Sequence, residues 1–141
     1  MEKKSMGYTD TFIKVAADCQ VDKSEIPVSK NKSKPAHLFQ YELLTEKPYA
    51  YNHEELIYQV YVLQKEIPES VLATESDKIK TELFSKGHPC MRASSLTKRY
   101  GWGAHYNQDG KIAIYPMESE AYKTLLESEK VKVVPAMKSK R

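Results

Sequence analysis

Cysteine is scarce in this chain. Cys19 and Cys90 are the only two in 141 residues, too few for the disulfide framework on which small secreted scaffolds depend. Long apolar runs are missing as well, and none approaches the roughly 18 residues that a membrane-spanning helix needs. The opening MEKKSMGYTDTF has a basic start but no apolar stretch behind it, so it does not read as a secretory signal. Charge of one sign does not dominate. Twenty-two basic residues stand against nineteen acidic ones, for a net +3, short of the basic stripe of a dedicated nucleic-acid binder. Phosphate loops, dinucleotide fingerprints, Gly-x-Ser-x-Gly elbows and kinase signatures do not occur. The histidines, His37, His53, His88 and His105, fall in no Cys-x-x-Cys, His-x-x-x-His or His-Glu-x-x-His pattern. These absences point to a soluble, cytoplasmic protein with no metal, no cofactor and no membrane partner.

The composition, 40% hydrophobic and 29% charged, is ordinary for a globular chain and too apolar for wholesale disorder. Surface scaling leaves about 7,500 Å² of roughly 23,000 Å² exposed on folding, enough for one core without staples. One domain over 1–141 is expected, with flexible tails at 1–9 and 136–141 and a long polar loop at 18–34.

The periodicity gives an α+β reading. Thr11 to Ala16 alternates loosely and is rich in β-formers, so it reads as a strand. Pro35 opens a helix with Leu38, Phe39 and Leu43 on its stripe, and Pro48 ends it. Asn52-His-Glu-Glu55 reads as an N-cap with an acidic residue at N3. Leu56, Val60, Leu63 and Ile67 follow at helical spacing. Another helix is read from Val71 to Lys86, with Leu72, Ile79, Leu83 and Phe84 inward and Gly87 as its cap. Trp102–Tyr106 and Lys111–Tyr115 read as a hairpin joined at Asn107-Gln-Asp-Gly110. In it Trp102, Ala104 and Tyr106 share one face, while Gly103 and His105 take the other. A short helix over Glu118–Glu127, with Ala121, Tyr122, Leu125 and Leu126 inward, and a strand through Val131, Val133 and Val134 complete the chain. The expected architecture is an antiparallel sheet, including the 102–115 hairpin, packed against about four helices.

Reactive residue types concentrate between His88 and His105. Four of the five glycines lie between 87 and 110, and two of the three arginines, Arg92 and Arg99, stand here in a chain with nineteen lysines. Arginine offers a planar donor fork that lysine cannot reproduce. Arg92, Lys98 and Arg99 converging on an anion, with Tyr100 or Trp102 as a stacking face and His105 nearby, would hold a small anionic or aromatic ligand. Glycines flanking Trp102 allow a close approach of backbone or ligand. The competing reading is that the glycines serve turns, Trp102 fills the core and the arginines brace the hairpin.

Two other functions are compatible with these residues. Cys90 with His88 two residues before it would be a nucleophile and its base if the segment is extended, since both side chains then share a face with Arg92. Lysine clusters at Lys30, Lys32 and Lys34 and in the 130–141 tail would contact nucleic acid or an acidic protein, although the modest net charge disfavours nucleic acid. Ten tyrosines against three phenylalanines, with Tyr49, Tyr51, Tyr58 and Tyr61 grouped together, fit the rim of a ligand cleft or a homodimer face.

The opening Thr11-Phe-Ile-Lys-Val-Ala-Ala-Asp-Cys19, the block HPCMRASSLTKRYGWGAHYNQDGKIAIYP and the ending Ala136–Arg141 resemble a family of short bacterial proteins defined only as a domain of unknown function. The resemblance covers nearly the whole chain and is carried most specifically by Lys98-Arg-Tyr-Gly-Trp-Gly103. It implies a complete, stand-alone protein and supplies no activity or catalytic residue. A shorter stretch, Lys111 to Tyr122, is similar in its hairpin-then-helix pattern to small α+β bacterial proteins suggested to act as iron chaperones.

Overall fold

The computed structural model describes residues 8–28, 34–88 and 90–138. Strands β1 (Thr11–Lys14), β2 (Trp102–Tyr106), β3 (Ile112–Pro116) and β4 (Lys132–Pro135) form one sheet in the order β3-β2-β1-β4. The β2–β3 hairpin turns where the Asp-Gly signal places it. Asn107 Oδ1 accepts the N–H groups of Asp109 and Lys111, each at 2.9 Å, and Gly110 takes φ +78°, which costs glycine nothing. β1 is antiparallel to β2, but β4 runs parallel to β1, so the sheet is mixed rather than wholly antiparallel. The cause is the connection: helix α5 (Glu120–Glu127) carries the chain from β3 across to the far edge, and a crossover helix returns the next strand in the same direction.

Strand alternation divides the side chains between two layers. Ile13, Trp102, Ala104, Tyr106, Ile112 and Ile114 enter the main core. They meet α1 (Ala36–Glu46), α2 (His53–Gln64) and the short α4 (Ser95–Lys98) through Leu44, Leu56, Val60 and Leu96. Phe12 faces the other way and packs with Tyr122 of α5. The capping box at the start of α2 forms as the sequence predicts: Glu55 N–H donates to Asn52 Oδ1 at 2.8 Å, and Asn52 N–H donates to Glu55 Oε1 at 2.9 Å.

Several helix expectations shift. α2 stops at Gln64, so Ile67 is off its stripe and Leu63 is 41% exposed; Pro68 disfavours the helical conformation at the preceding residue, and Glu66 has already left it with φ +52°. α3 (Glu69–Leu83) ends before Gly87 and buries none of its fifteen residues. α5 turns Tyr122 and Leu125 to the sheet but leaves Ala121 and Leu126 exposed, since eight residues offer only a narrow inward face.

Of the 18–34 loop, residues 18–28 and Lys34 are described; Lys34 pairs with Glu42 at 3.2 Å, and 18–28 is a fastened strap. Glu25 N–H donates to Tyr100 O at 2.8 Å, and Ser24 gives its N–H and hydroxyl to the Glu118 carboxylate at 2.8 and 2.9 Å. These bonds hold the Glu118 carboxyl below its usual range, the backbone one foremost. Residues 29–33, with Lys30 and Lys32, lie outside the described residues, as do 1–7 and 139–141 of the two expected tails. Within those tails, Tyr8 packs edge-on against Tyr106, Ala136 is buried, and Met137 N–H reaches Arg92 O at 2.8 Å. Among the described residues no helix is long and apolar enough to cross a membrane.

Candidate functional site

The 88–105 segment is not extended between 91 and 98. Met91–Ala93 forms a 3₁₀ turn and Ser95–Lys98 a single α-turn, with Ser94 Oγ accepting Leu96 N–H at 3.2 Å. Arg92, inside the first turn, is therefore off the alternation expected to align it with His88 and Cys90. His88 Nε2 lies 2.6 Å from Leu83 O, at the end of α3. Cys90 Sγ instead contacts Tyr8 Oη at 3.6 Å.

The six residues expected to gather round a ligand are placed at different structures. Arg92 donates Nε–H to Pro135 O at 2.8 Å and so anchors β4. Lys98 closes α4 and is half-buried, while Arg99 caps that turn and is exposed. Tyr100 stacks on His37 at 5.1 Å. Burial there, and then the Arg99 charge, hold the His37 imidazole below its ordinary value. Trp102 is a core residue rather than an open stacking face: it is 7% exposed and its indole N–H donates to Glu25 O at 2.9 Å. His105 projects from the opposite face of β2, where its Nδ1 lies 2.7 Å from Tyr49 Oη. Tyr100 and Trp102 thus attend the strap, Arg99 the end of α4 near His37, Arg92 the C-terminal strand, and His105 none of these.

Two cavities among the described residues lie at the helices. Between the first turns of α2 and the end of α3 lies a cleft of about 660 Å³. Tyr51, Tyr58 and Phe84 give it aromatic walls, and Asn52, Glu54, Glu55 and Lys80 give it polar ones. Lys80 Nζ sits 4.9 Å from the centre of the Tyr58 ring. A smaller cavity of about 240 Å³ lies between α1, α2 and the end of α3, bounded by Gln40, Ile57, Tyr61, Leu83 and His88. None of Arg92, Lys98, Arg99, Tyr100, Trp102 or His105 lines either cavity. The larger cleft originates with α3: a helix with no buried residue meets α2 by half-buried side chains and leaves space between them. Tyr51 and Tyr58 belong to the tyrosine group visible in the sequence; Phe84 reads there only as an inward helix residue and Lys80 carries no signal, because their role depends on how α3 docks.

A buried histidine stands beside these cavities. His53, the first residue of α2, is 4% exposed, and its Nε2 has no hydrogen-bond partner among the described residues. Burial holds its imidazole below the ordinary range, with Glu54 opposing. Among the described residues no three His, Cys, Asp or Glu side chains gather as a metal site.

No curated protein and no solved structure matches the chain. A family model does, over residues 3–141, and on that match the chain belongs to DUF6157, a family of unknown function.

Proposed function

We propose that this protein binds a small aromatic molecule in the cleft between α2 and α3. The observation that carries this reading is the cleft itself. Its volume of about 660 Å³ falls within the roughly 300–1,000 Å³ of ordinary ligand sites, and its walls combine aromatic faces with a few polar groups, as such sites do. A Tyr58 face that attracts the Lys80 ammonium would also receive a flat ring or a cationic nitrogen. Two carboxylates and one ammonium line the space, a balance that favours a neutral or cationic ring over an anion. Arg92 and Arg99, which motivated an anionic ligand, lie outside it. α3 supplies a wall able to shift, since no core contact locks it.

The test uses the uncharged fluorophore N-phenyl-1-naphthylamine. Saturable binding is expected, weakened about tenfold by Tyr58→Ala and unchanged by Arg99→Ala. Its anionic relative, anilinonaphthalene sulfonate, should bind several-fold more weakly. Binding lost in Arg99→Ala but kept in Tyr58→Ala would return the site to the 88–105 segment.

A further inference from the structure

A second group of reactive side chains meets on the sheet face opposite the main core, outside the α2–α3 cleft. His105 projects from β2 on the side that Phe12 occupies on β1, and the two residues are register partners. On its other side the register partner is Ala113 of β3, a small and buried neighbour. Tyr49 approaches from beyond the β3 edge, where its N–H donates to Ile112 O at 2.9 Å. Its backbone sits in the left-handed region at φ +60°, which tyrosine seldom adopts. From there its hydroxyl reaches two partners, His105 Nδ1 at 2.7 Å and Tyr115 Oη at 2.7 Å.

We propose that Tyr49, His105 and Tyr115 form a proton-transfer site, in which His105 Nε2 is the base for a small substrate bearing a weakly acidic C–H or O–H and the two tyrosines relay the opposite proton outward. The chain has two complete arrangements. In one, Tyr115 donates to Tyr49, Tyr49 donates to Nδ1, and Nε2 carries the ring hydrogen. In the other, Nδ1–H donates to Tyr49, Tyr49 donates to Tyr115, and Nε2 presents a lone pair. Passing between them breaks no hydrogen bond, because each inner atom exchanges a donor role for an acceptor role. Among the described residues Nε2 takes no partner, and the ring is half-buried.

In the reaction step the substrate's C–H or O–H bond breaks, its electron pair stays on the substrate, and the proton goes to Nε2. The imidazolium then passes its Nδ1 proton to Tyr49 Oη as the Tyr49 proton moves to Tyr115 Oη and the Tyr115 proton leaves to water. The balance is one proton moved from substrate to solvent, with the ring neutral again.

The surroundings suit a base at neutral pH. Burial keeps the imidazole below its ordinary value, and Asp10, at the approach to β1, opposes that effect. Burial and the Tyr115 hydrogen bond push the Tyr49 phenol far above neutrality, so Tyr49 stays a hydroxyl able both to give and to accept. Phe12 and Ala113 flank the ring without charge.

The probe is 5-nitrobenzisoxazole, whose C–H abstraction breaks its N–O bond and releases a coloured phenolate. The full-length protein should open it at least about tenfold faster per site than free imidazole at equal concentration, with the rate rising to a plateau as His105 loses its proton. His105→Gln should return the rate to background while thermal unfolding stays cooperative. Tyr49→Phe removes the positioning hydroxyl; it should lower the rate about three- to tenfold and shift the His105 tautomer balance in long-range ¹H–¹⁵N spectra. A wild-type rate no better than imidazole, a rate untouched by His105→Gln, or a tautomer balance identical in Tyr49→Phe overturns the proposal.

Discussion

The seat of α5 rests on an absent side chain. Gly103 lies in β2 between two rings, and a Cβ built there would come within 2.4 Å of Phe12 Cζ and 2.7 Å of Tyr122 Cε2. Neither ring has room to retreat. Phe12 is fully buried, and Tyr122 is tethered because its hydroxyl accepts Val15 N–H at 2.9 Å. Gly103→Ala therefore forces both rings or the strand to move by about 1 Å to regain ordinary contact. Overpacking of this kind costs roughly 1–3 kcal/mol, and two violated neighbours place the cost near the top of that range. Alanine returns about 0.5–1 kcal/mol by restricting the unfolded chain. The net destabilisation is about 2 kcal/mol. With an unfolding entropy of about 2.1 cal/mol/K for each of 141 residues, Tm falls by about 7 °C.

Urea and thermal denaturation followed by circular dichroism would measure it, in a cycle with Phe12→Leu. Phe12→Leu alone leaves a cavity and is destabilising, but in the alanine background it makes room. The double variant should therefore lie at least about 1 kcal/mol above the sum of the single effects. A neutral or stabilised Gly103→Ala, or strictly additive changes, would show that Phe12 and Tyr122 do not close over this position.

Two further outcomes follow from the same geometry. Asn52→Ala removes the reciprocal cap of α2 and should cost about 1 kcal/mol in urea unfolding, with weaker fluorophore binding because Asn52 also lines the cleft; unchanged stability would deny the capping box. His37, His53 and His105 are all held below the ordinary imidazole value, burial being the first cause in each. The unfolded chain thus binds protons that the folded one refuses. This contribution to stability is intact above pH about 6.5 and declines as pH falls through and below it. Tm measured from pH 7.5 to 5 should fall, and a Tm that rises over that interval would refute the assignment.

The parts of the fold readable from the sequence were those decided locally. The Asn52–Glu55 cap, the Asp-Gly hairpin turn and the split of Trp102, Ala104 and Tyr106 from Gly103 and His105 each depend on neighbours a few residues apart, and each forms as read. The direction of β4 was not of that kind, because β-rich composition is the same in either orientation and the crossover through α5 decides it. The cleft was illegible for a related reason. An apolar stripe on α3, with Leu72, Ile79 and Leu83, predicts burial against something, but not that the helix would settle only half-buried and leave a hollow beside α2. The tyrosine excess was a genuine pointer, since Tyr51 and Tyr58 wall that hollow and Tyr49 reaches His105; composition alone did not say which partners each would find.

The crowding of reactive types between His88 and His105 has a structural explanation that does not require one shared pocket. This stretch joins β4 and the strap to the sheet and folds on itself, and each junction uses a different kind of tether. Pro135 offers a carbonyl at the end of β4, and only a long side chain with a directed N–H, Arg92, spans to it. The strap offers Glu25 O to an indole that is otherwise apolar enough for the core, which selects tryptophan at 102. Gly101 admits the strap itself: it takes φ +78°, and a Cβ there would meet Ser24 Cα at 3.1 Å. Thr97, wholly buried, ties its hydroxyl to Met91 O at 2.6 Å and closes the turn from within. Diversity of side chains here reflects diversity of neighbours. His105 differs, because its ring lies on the opposite face of β2 and meets the Tyr49 hydroxyl, which in turn meets that of Tyr115 on the neighbouring strand. Arg92, Trp102 and Thr97 bond backbone carbonyls, whereas His105 meets another titratable side chain, and that is where chemistry is most worth testing.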